Sequence, residues 1–225
     1  MILVPVKNLS SAKQRLAPIL DQPSRTKLAQ AMLADVLAAL HEWQTSRRSS
    51  ESEVALVTSD PYAVKLAREY EFEVILDPEN PGETGAIEMA TRVCIERGIK
   101  WTLVIPADIP LIRAWELDEI LKHAPEHGSV LVPAGDERGT NAAFRRPADL
   151  FPLRFGNDSF KPHLATAQET GKPCVVVSLP GIAVDVDNPA DLEQLVSIPG
   201  ESRAQRLARE WNNSRAGIAT EVRGL

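Results

Sequence analysis

Short apolar runs that alternate with amphipathic segments are the feature that most constrains the fold of this 225-residue chain. Five runs in its first 134 residues, LVPV, VALV, FEVIL, LVIP and VLVP, are nearly continuous and rich in Val and Ile. Strands of a parallel sheet have this character because helices cover both of their faces. The segments between the runs carry apolar residues three and four positions apart, the period of an amphipathic helix. The alternation predicts an α/β fold with a mostly parallel sheet and helices on both faces.

The second part of the chain departs from this rhythm. Helices are predicted between the first runs at 24–44, 61–70, 85–97 and 115–123. After residue 139, TNAAFRR reads as a strand, SFKPHLATAQET as a helix, PCVVVSL as a strand and GIAVDVD as a short extended segment. These additions, at about 139–187, predict a small lobe over the crevice of the first half. The tail at 198–225 reads as one charged helix with a frayed end, either solvated or bracing a dimer.

Composition restricts the class of protein. With 44% hydrophobic residues, the chain can bury a full core without disulfides, so one domain at 1–197 is expected. A formal charge of −6 argues against a broad nucleic-acid surface. Cys94 and Cys174 lack metal-ligand spacing, which is typical of buried thiols in a reducing cytoplasm. No apolar stretch approaches the ~20 residues of a membrane span, and MILVPV is too short for a signal sequence, so a soluble cytoplasmic protein is expected.

The first basic cluster of this acidic protein comes directly after its first apolar run. In VPVKNLSSAKQRL, Lys7, Lys13 and Arg15 follow the run, and no acidic residue occurs before Asp21. Open α/β sheets bind ligands at the carboxyl ends of their strands, and lysine and arginine bind phosphate oxygens. Neither the Walker A pattern GxxxxGK[ST] nor GxGxxG is present. We expect loop amides and these cations to hold a triphosphate here; the alternative is a solvated loop with ordinary surface charges.

Three aspartates stand where a metal ion would meet that triphosphate. Asp108, in VIPADIPLI, ends a buried apolar run and is followed by Pro110. Asp185 and Asp187, in AVDVDNPADL, fall on one side of an extended chain, where two carboxylates repel unless a cation lies between them. Mg²⁺ needs only one or two protein carboxylates, so these residues predict a site for one or two Mg²⁺ ions. The alternative is helix capping, which accounts for one acid of the pair but not for both.

A further group of residues suits a second anion. The stretches ERGTN and RFGNDSF place Thr140, Gly156 and Ser159 near a predicted helix start, where amides and hydroxyls are available to an anion. Such a site fits an acceptor that is itself a phosphate or a carboxylate. Arg154 reads either as a steering cation or as a surface residue. The histidines read as surface or packing residues, not as catalytic ones: His41, His123, His127 and His163.

The order of these motifs resembles a known family. VPVKNLSSAKQRL, VTSDP, PADIPL, GTNA, RFGNDSF and DVDNPADL follow one another over about residues 1–197 as in the CofC/FbiD guanylyltransferases of deazaflavin coenzyme biosynthesis. The combination of RFGxxS with DVDxP is fairly specific. The resemblance implies a Rossmann-like nucleotidyltransferase fold of the nucleotide-diphospho-sugar transferase type. It also implies transfer of GMP from GTP to a small phosphorylated three-carbon acid, with Mg²⁺ and release of pyrophosphate, in the biosynthesis of coenzyme F-420.

The resemblance also implies roles for individual residues. The implied metal ligands are Asp108, Asp185 and Asp187. The implied acceptor contacts are Thr140, Gly156 and Ser159. The predicted nucleotide contacts are Pro5, Val6, Lys7, Lys13 and Gly85. Lys13 and Arg15, together with Asp108, are the candidate catalytic residues, because cations beside the first strand stabilise charge on the leaving pyrophosphate.

The motifs leave the acceptor open among phosphoenolpyruvate, 2-phospho-L-lactate and 3-phospho-D-glycerate. Phosphoenolpyruvate is favoured because the chain looks bacterial in style. Many family members have an asparagine after a leucine near residue 84, whereas this chain reads GETGAIEMA, so the guanine or acceptor contacts there stay unassigned.

The expected partners are GTP, the phosphorylated acid and a downstream transferase of the same pathway, with a homodimer left open. One alternative function is another nucleotidyltransferase, acting on a sugar phosphate or a molybdopterin, although its LAGGxSxRMG opening is missing. The other is a non-catalytic nucleotide-binding protein, which would not require so many converging acids.

Overall fold

The computed structural model describes residues 1–47, 53–78, 82–156 and 158–222, with side chains up to residue 212. Within these ranges the strands are β1 (Ile2–Pro5), β2 (Val54–Val57), β3 (Glu73–Ile75), β4 (Thr102–Val104), β5 (Gly128–Pro133), β6 (Thr140–Arg146) and β7 (Cys174–Val176). The α-helices are α1 (Gln22–Ser46), α2 (Pro61–Glu69), α3 (Glu83–Glu96), α4 (Ala114–Lys122), α5 (Phe160–Glu169), α6 (Pro189–Ser197) and α7 (Arg203–Val222).

All of these strands join one sheet in the order β3-β2-β1-β4-β6-β5-β7. Strand β6 runs antiparallel to its neighbours β4 and β5, and the other adjacent pairs are parallel. Ile2 of β1 pairs with Val54 of β2 on one side and with Leu103 of β4 on the other. The predicted α/β fold with a mostly parallel sheet is confirmed.

The segment after residue 139 completes this sheet. TNAAFRR forms β6, which inserts between β4 and β5, and β7 forms within PCVVVSL at the sheet edge. The stretch GIAVDVD forms a turn over 180–183 and then runs without strand pairing. Its backbone instead contacts loops: Val186 N–H donates to the Asp108 carbonyl at 3.2 Å, and Gly135 N–H donates to Ala183 O at 2.8 Å. These contacts hold the DVD residues against the end of β4.

Helices α1 and α3 each begin two residues earlier than the sequence predicts, because of the residue that precedes each. Helix α1 starts at Gln22 because the carboxylate of Asp21 accepts the Ser24 N–H at 2.9 Å. Helix α3 starts at Glu83, after Gly82, whose φ of 97° is a conformation that side chains with a Cβ rarely adopt. Glu83 therefore lies at the start of α3, below the end of the sheet that binds ligands in folds of this class.

The core lies on both faces of the sheet. Ile2 and Val4 pack toward α1, and Leu3 packs toward α3, as alternation along a strand requires. Cys94 is buried, as predicted, whereas Cys174 is only half-buried because β7 lies at the edge of the sheet. Within the described ranges, no helix combines the length and the apolar character needed to cross a membrane.

The start of the tail helix is part of the core, so the predicted solvated appendage is wrong for this portion. Ala204 and Ala208 of α7 are fully buried. The carboxylate of Asp35, on α1, accepts the backbone N–H groups of Arg203 and Ala204 at 2.9 Å each. A buried carboxylate thus caps α7 and ties it to α1.

Candidate functional site

A cleft of about 450 Å³ opens where β1 and β4 end. Strand β1 leads into the loop 6–21, and β4 leads into the segment that carries Asp108. The cleft is lined on these sides by Pro5, Val6, Lys7, Lys13, Arg15, Glu83, Asp108 and Asp187, among others. Ligands of open α/β sheets bind in this position, at the carboxyl ends of strands.

Two side chains hold the loop after β1 in shape: the amide of Asn8 and the carboxylate of Asp60. Asn8 Oδ1 accepts the Ser10 N–H at 2.9 Å and starts a 3-10 turn, Leu9–Ser11. Asp60, from the VTSDP motif, accepts the Leu9 N–H at 2.9 Å through Oδ2, and its Oδ1 caps α2. Lys13 then adopts a left-handed backbone conformation, with φ 56°, before a second 3-10 turn, Gln14–Leu16. The loop is therefore anchored before Lys13, and a 3-10 turn lies on either side of this residue.

The Lys13 ammonium lies between two of the predicted acids. Its Nζ is 2.6 Å from Asp108 Oδ2 and 2.8 Å from Asp187 Oδ1, and the Lys13 side chain is only 9% exposed. Burial by itself would lower the pKa of Lys13, but the two carboxylates reverse this and raise it well above its usual range. Lys13 is thus a fixed positive charge at the end of β4.

The acids of the DVD motif are in different electrostatic settings. Burial tends to raise the pKa of Asp187, but Lys13, and Arg15 at 3.6 Å, lower it below its usual value. Burial raises the pKa of Asp185, and the nearby charges of Asp108 and Asp187 add to this effect. Asp185 Oδ1 accepts a hydrogen bond from Asn141 Nδ2 at 3.0 Å. Asp187 thus contacts the Lys13 ammonium, whereas Asp185 contacts the amide of Asn141.

The geometry of the acids fits a magnesium site of two carboxylates. Among the described residues, no group of three or more His, Cys, Asp or Glu side chains has metal-binding spacing. Asp108 and Asp187 nevertheless each place an oxygen within 2.8 Å of one cation, the Lys13 ammonium. Mg²⁺ takes one or two carboxylates and completes its octahedron with water and phosphate oxygens. Two of the three predicted ligands converge, and Asn141 holds the third.

Sequence reasoning missed Glu83, which lies on the other side of the cleft. Burial, followed by the charge of Asp108, raises the pKa of the Glu83 carboxyl to about 7. Glutamate is common in the first turn of a helix because its charge interacts favourably with the helix dipole. The sequence therefore gives no specific sign that Glu83 lies in the cleft. Gly85, which was predicted as a nucleotide contact, lies inside α3 and not among the lining residues of the cleft.

Two of the predicted acceptor residues, Thr140 and Ser159, also meet, next to the acids. The Thr140 N–H donates to Ser159 Oγ at 3.1 Å, and both residues are buried. Gly156 has φ 144°, and no heavy atom lies within 4 Å of the position that a Cβ would take. Asn141, the neighbour of Thr140, links this group to Asp185. The Arg154 side chain is exposed, which agrees with the surface alternative.

The packing prediction for His163 missed the partners of its ring. His163, on α5, is 2% exposed, with Nδ1 2.9 Å from Thr140 Oγ1. Its Nε2 accepts the Arg154 N–H at 2.8 Å. Burial lowers the pKa of this ring to about 4, so it is neutral at physiological pH. The signal in the sequence is its distance of four residues from Ser159, which places both on one face of a helix.

Comparison with known proteins identifies the family of this chain. The family model described as "Guanylyl transferase CofC like" matches residues 1–212. The chain belongs to the CofC guanylyltransferase family. It is therefore an enzyme of the nucleotidyltransferase class.

Relatives of this CofC protein have three acceptor names. It is 37% identical to a phosphoenolpyruvate guanylyltransferase of Roseiflexus castenholzii over 93% of either chain. It is 30% identical to a 3-phospho-D-glycerate guanylyltransferase of Colwellia psychrerythraea, covering 92% of this chain and 97% of that one. It is 29% identical to a 2-phospho-L-lactate guanylyltransferase of Methanothermobacter thermautotrophicus, covering 86% and 82%.

The fold of the CofC protein has solved counterparts. A protein of Desulfovibrio desulfuricans G20, described as a nucleotide-diphospho-sugar transferase, superposes with a TM-score of 0.72 at 18% identity over 94% of both chains. At this identity the similarity concerns the fold alone. The predicted fold, of the nucleotide-diphospho-sugar transferase type, is confirmed.

Proposed function

We propose that this CofC family protein transfers GMP from GTP to a small phosphorylated three-carbon acid, with phosphoenolpyruvate as the favoured acceptor, and releases pyrophosphate. The main support for this proposal is the Lys13 ammonium, which lies between Asp108 and Asp187 in a cleft at the ends of β1 and β4. A binding protein would not require two acids and a buried lysine at one point. A phosphoryl-transfer site requires charges of both signs there.

The cations of the loop after β1 would face the triphosphate. Lys7 and Arg15 line the cleft with exposed side chains, and Lys13 lies deeper, at the acids. An oxygen of the acceptor phosphate forms a bond to the α-phosphorus of GTP, while the bond from that phosphorus to the bridging oxygen breaks. The electron pair of the broken bond leaves with pyrophosphate, whose added charge Lys13 and Arg15 stabilise. No general base is required, because the acceptor phosphate is already ionised.

Mg²⁺ is part of this proposal, with Asp108 and Asp187 as its protein ligands. When bound, it would neutralise triphosphate charge and draw the phosphate oxygens to the acids. Lys13 occupies the position between these carboxylates and would be free to contact the phosphates once a metal ion replaced it there. Asp185, held by Asn141, would position the segment and add negative charge.

The choice of phosphoenolpyruvate is supported by the relatives. Those named for it reach 37% and 36% identity, above the phosphoglycerate relative at 30% and the phospholactate relative at 29%. Thr140, Gly156 and Ser159 would hold the phosphate and carboxylate that all three acids share, so these residues do not discriminate among them. The proposal also includes a place in coenzyme F-420 biosynthesis, a cytoplasmic location and a downstream transferase that uses the product.

A competition assay tests the proposal. The protein is incubated with GTP, Mg²⁺ and the three acids at equal concentration, and the guanylylated products are separated by mass. A dominant phosphoenolpyruvate adduct with stoichiometric pyrophosphate is expected. A dominant phosphoglycerate or phospholactate adduct would overturn the acceptor but keep the reaction. No adduct from any acid, with folded protein, would overturn the reaction itself.

A further inference from the structure

The ring of His163 connects two segments of the acceptor group through its two nitrogens. Nδ1 lies 2.9 Å from the hydroxyl oxygen of Thr140, at the start of β6. Nε2 lies 2.8 Å from the backbone nitrogen of Arg154, in the RFG stretch. The ring of Phe155 packs against His163, with centroids 5.2 Å apart. The imidazole is therefore fixed in position and in orientation.

The partners of the ring determine where its proton lies. The backbone nitrogen of Arg154 is always a donor, so Nε2 must present its lone pair. A neutral imidazole then carries its proton on Nδ1, which donates to Thr140 Oγ1. Because burial, and to a lesser degree Arg145, lower the pKa of His163 to about 4, this arrangement holds throughout the neutral range. The Thr140 hydroxyl accepts from His163 and keeps its own hydrogen for another partner.

The Ser159 hydroxyl also accepts a hydrogen bond from the protein and keeps its own hydrogen. Its Oγ accepts the Thr140 N–H at 3.1 Å, so its hydrogen is also available. Among the residues that the structure describes, neither hydroxyl donates to a protein acceptor. Two neighbouring hydroxyls that accept from the protein and have hydrogens to donate match a ligand that offers only acceptors, such as a phosphate or a carboxylate.

We propose that His163 is a positioning residue, which makes the Thr140 hydroxyl a hydrogen-bond donor to the anionic acceptor. This rests on the proposed function, because the acceptor is the ligand of that hydroxyl. His163 does not touch the reacting atoms. Its effect passes through Thr140, so it should change the binding of the acid and leave GTP binding unchanged.

Two substitutions separate the functions of the two ring nitrogens. Gln reaches the Nε2 position, so His163→Gln keeps an acceptor for the Arg154 N–H and loses the donor to Thr140. Asn reaches the Nδ1 position, so His163→Asn keeps that donor and loses the contact with Arg154. We expect His163→Gln to raise the KM of the acid about tenfold and His163→Asn to raise it less, with the KM of GTP within about twofold in both. His127→Gln, at an exposed histidine, is the matched control.

A double-mutant cycle with Thr140→Val tests the route of the effect. Thr140→Val removes the hydroxyl, so adding His163→Gln should raise the KM of the acid no further. Additive losses, equal losses for GTP and the acid, or a smaller effect of Gln than of Asn would overturn the proposal. No guanylylated product from the parent protein would instead overturn the proposed function, and this inference with it.

A spectroscopic measurement tests the position of the ring proton in the parent protein. Nitrogen NMR of the protein with ¹⁵N-labelled histidine should show the ring of His163 protonated on Nδ1 and unprotonated on Nε2 at neutral pH. The matched spectrum of His163→Gln identifies its signals by their loss; if that variant does not fold, His163→Asn serves instead. A ring protonated on Nε2 would overturn the proposal, because Thr140 would then donate to His163.

Discussion

Replacing Lys13 with methionine would leave Asp108 and Asp187 facing each other without their shared cation. Methionine keeps the apolar stem of lysine and removes only the ammonium. A hydrogen bond to a charged group contributes about 1.5–3 kcal/mol when it is buried. The Asp108 and Asp187 side chains are 29% and 41% exposed, so solvent screening reduces each contact to about 1 kcal/mol. Lys13→Met should therefore lower the free energy of unfolding by about 2 kcal/mol in the absence of divalent metal.

The same substitution should tighten the binding of Mg²⁺. In the parent protein a metal ion must displace the ammonium before it reaches both carboxylates, whereas in Lys13→Met the position is open. If displacing the ammonium costs about 1.4 kcal/mol, its removal makes the binding of Mg²⁺ in the absence of nucleotide about tenfold tighter. Saturating Mg²⁺ should then restore most of the lost stability, because an ion that binds only the folded state stabilises it.

Urea unfolding followed by tryptophan fluorescence, with EDTA and with Mg²⁺, measures both effects. Lys7→Met is the matched control. It removes the same charge from the same cleft, but the side chain of Lys7 is exposed. It should change stability by less than about 0.5 kcal/mol. If Lys13→Met is as stable as the parent in EDTA, or if its Mg²⁺ affinity is unchanged, the ammonium does not hold the place of a metal ion.

Three further predictions concern turnover and pH. Asp108→Ala and Asp187→Ala should each cut turnover by orders of magnitude in a folded protein; turnover within about threefold of the parent at saturating Mg²⁺ would exclude the shared metal site. Lys13→Ala should lower kcat more than it weakens GTP binding, and weaker binding at unchanged kcat would make Lys13 a uniform binding contact. The pKa of Glu83 rises from 4.5 to about 7 when the metal-free protein folds. The contribution of Glu83 to the free energy of unfolding is therefore full below pH 4.5 and is lost as the pH rises through 7. Glu83→Gln should flatten this loss, of about 3 kcal/mol, in unfolding curves across that range, and an unchanged pH profile would show that Glu83 is solvated.

Local pattern was sufficient for much of the fold and of the site. Asp108 and Lys13 each follow an apolar run, and the rule that ligands meet the carboxyl ends of strands places both at one edge. The position of β6 was beyond such reasoning. TNAAFRR is a clear strand by composition, but its insertion between β4 and β5 is set by pairing with distant residues, such as Phe144 with Leu103.

The side-chain contacts of the site also join residues that are far apart along the chain. Lys13 was predicted to face phosphates, and its contacts with acids 95 and 174 residues away are a property of the folded chain. The burial of His163 was hidden because histidine is intermediate in its tendency to be buried, and its partner Thr140 lies 23 residues earlier. Glu83 was hidden for another reason, since an acid at a helix start has an ordinary explanation.

The antiparallel insertion of β6 has a consequence for how the chain folds during synthesis. Strands β1 to β4 are contiguous in the sheet and come from the first 104 residues, so they can pair as soon as these residues leave the ribosome. Strand β5 emerges next but pairs only with β6 and β7, which follow it. The edge of β4 therefore stays open until residue 146 is available. An open edge in an unfinished sheet is a template for pairing with other chains, so nascent chains that stall between residues 104 and 146 are the ones most prone to aggregate.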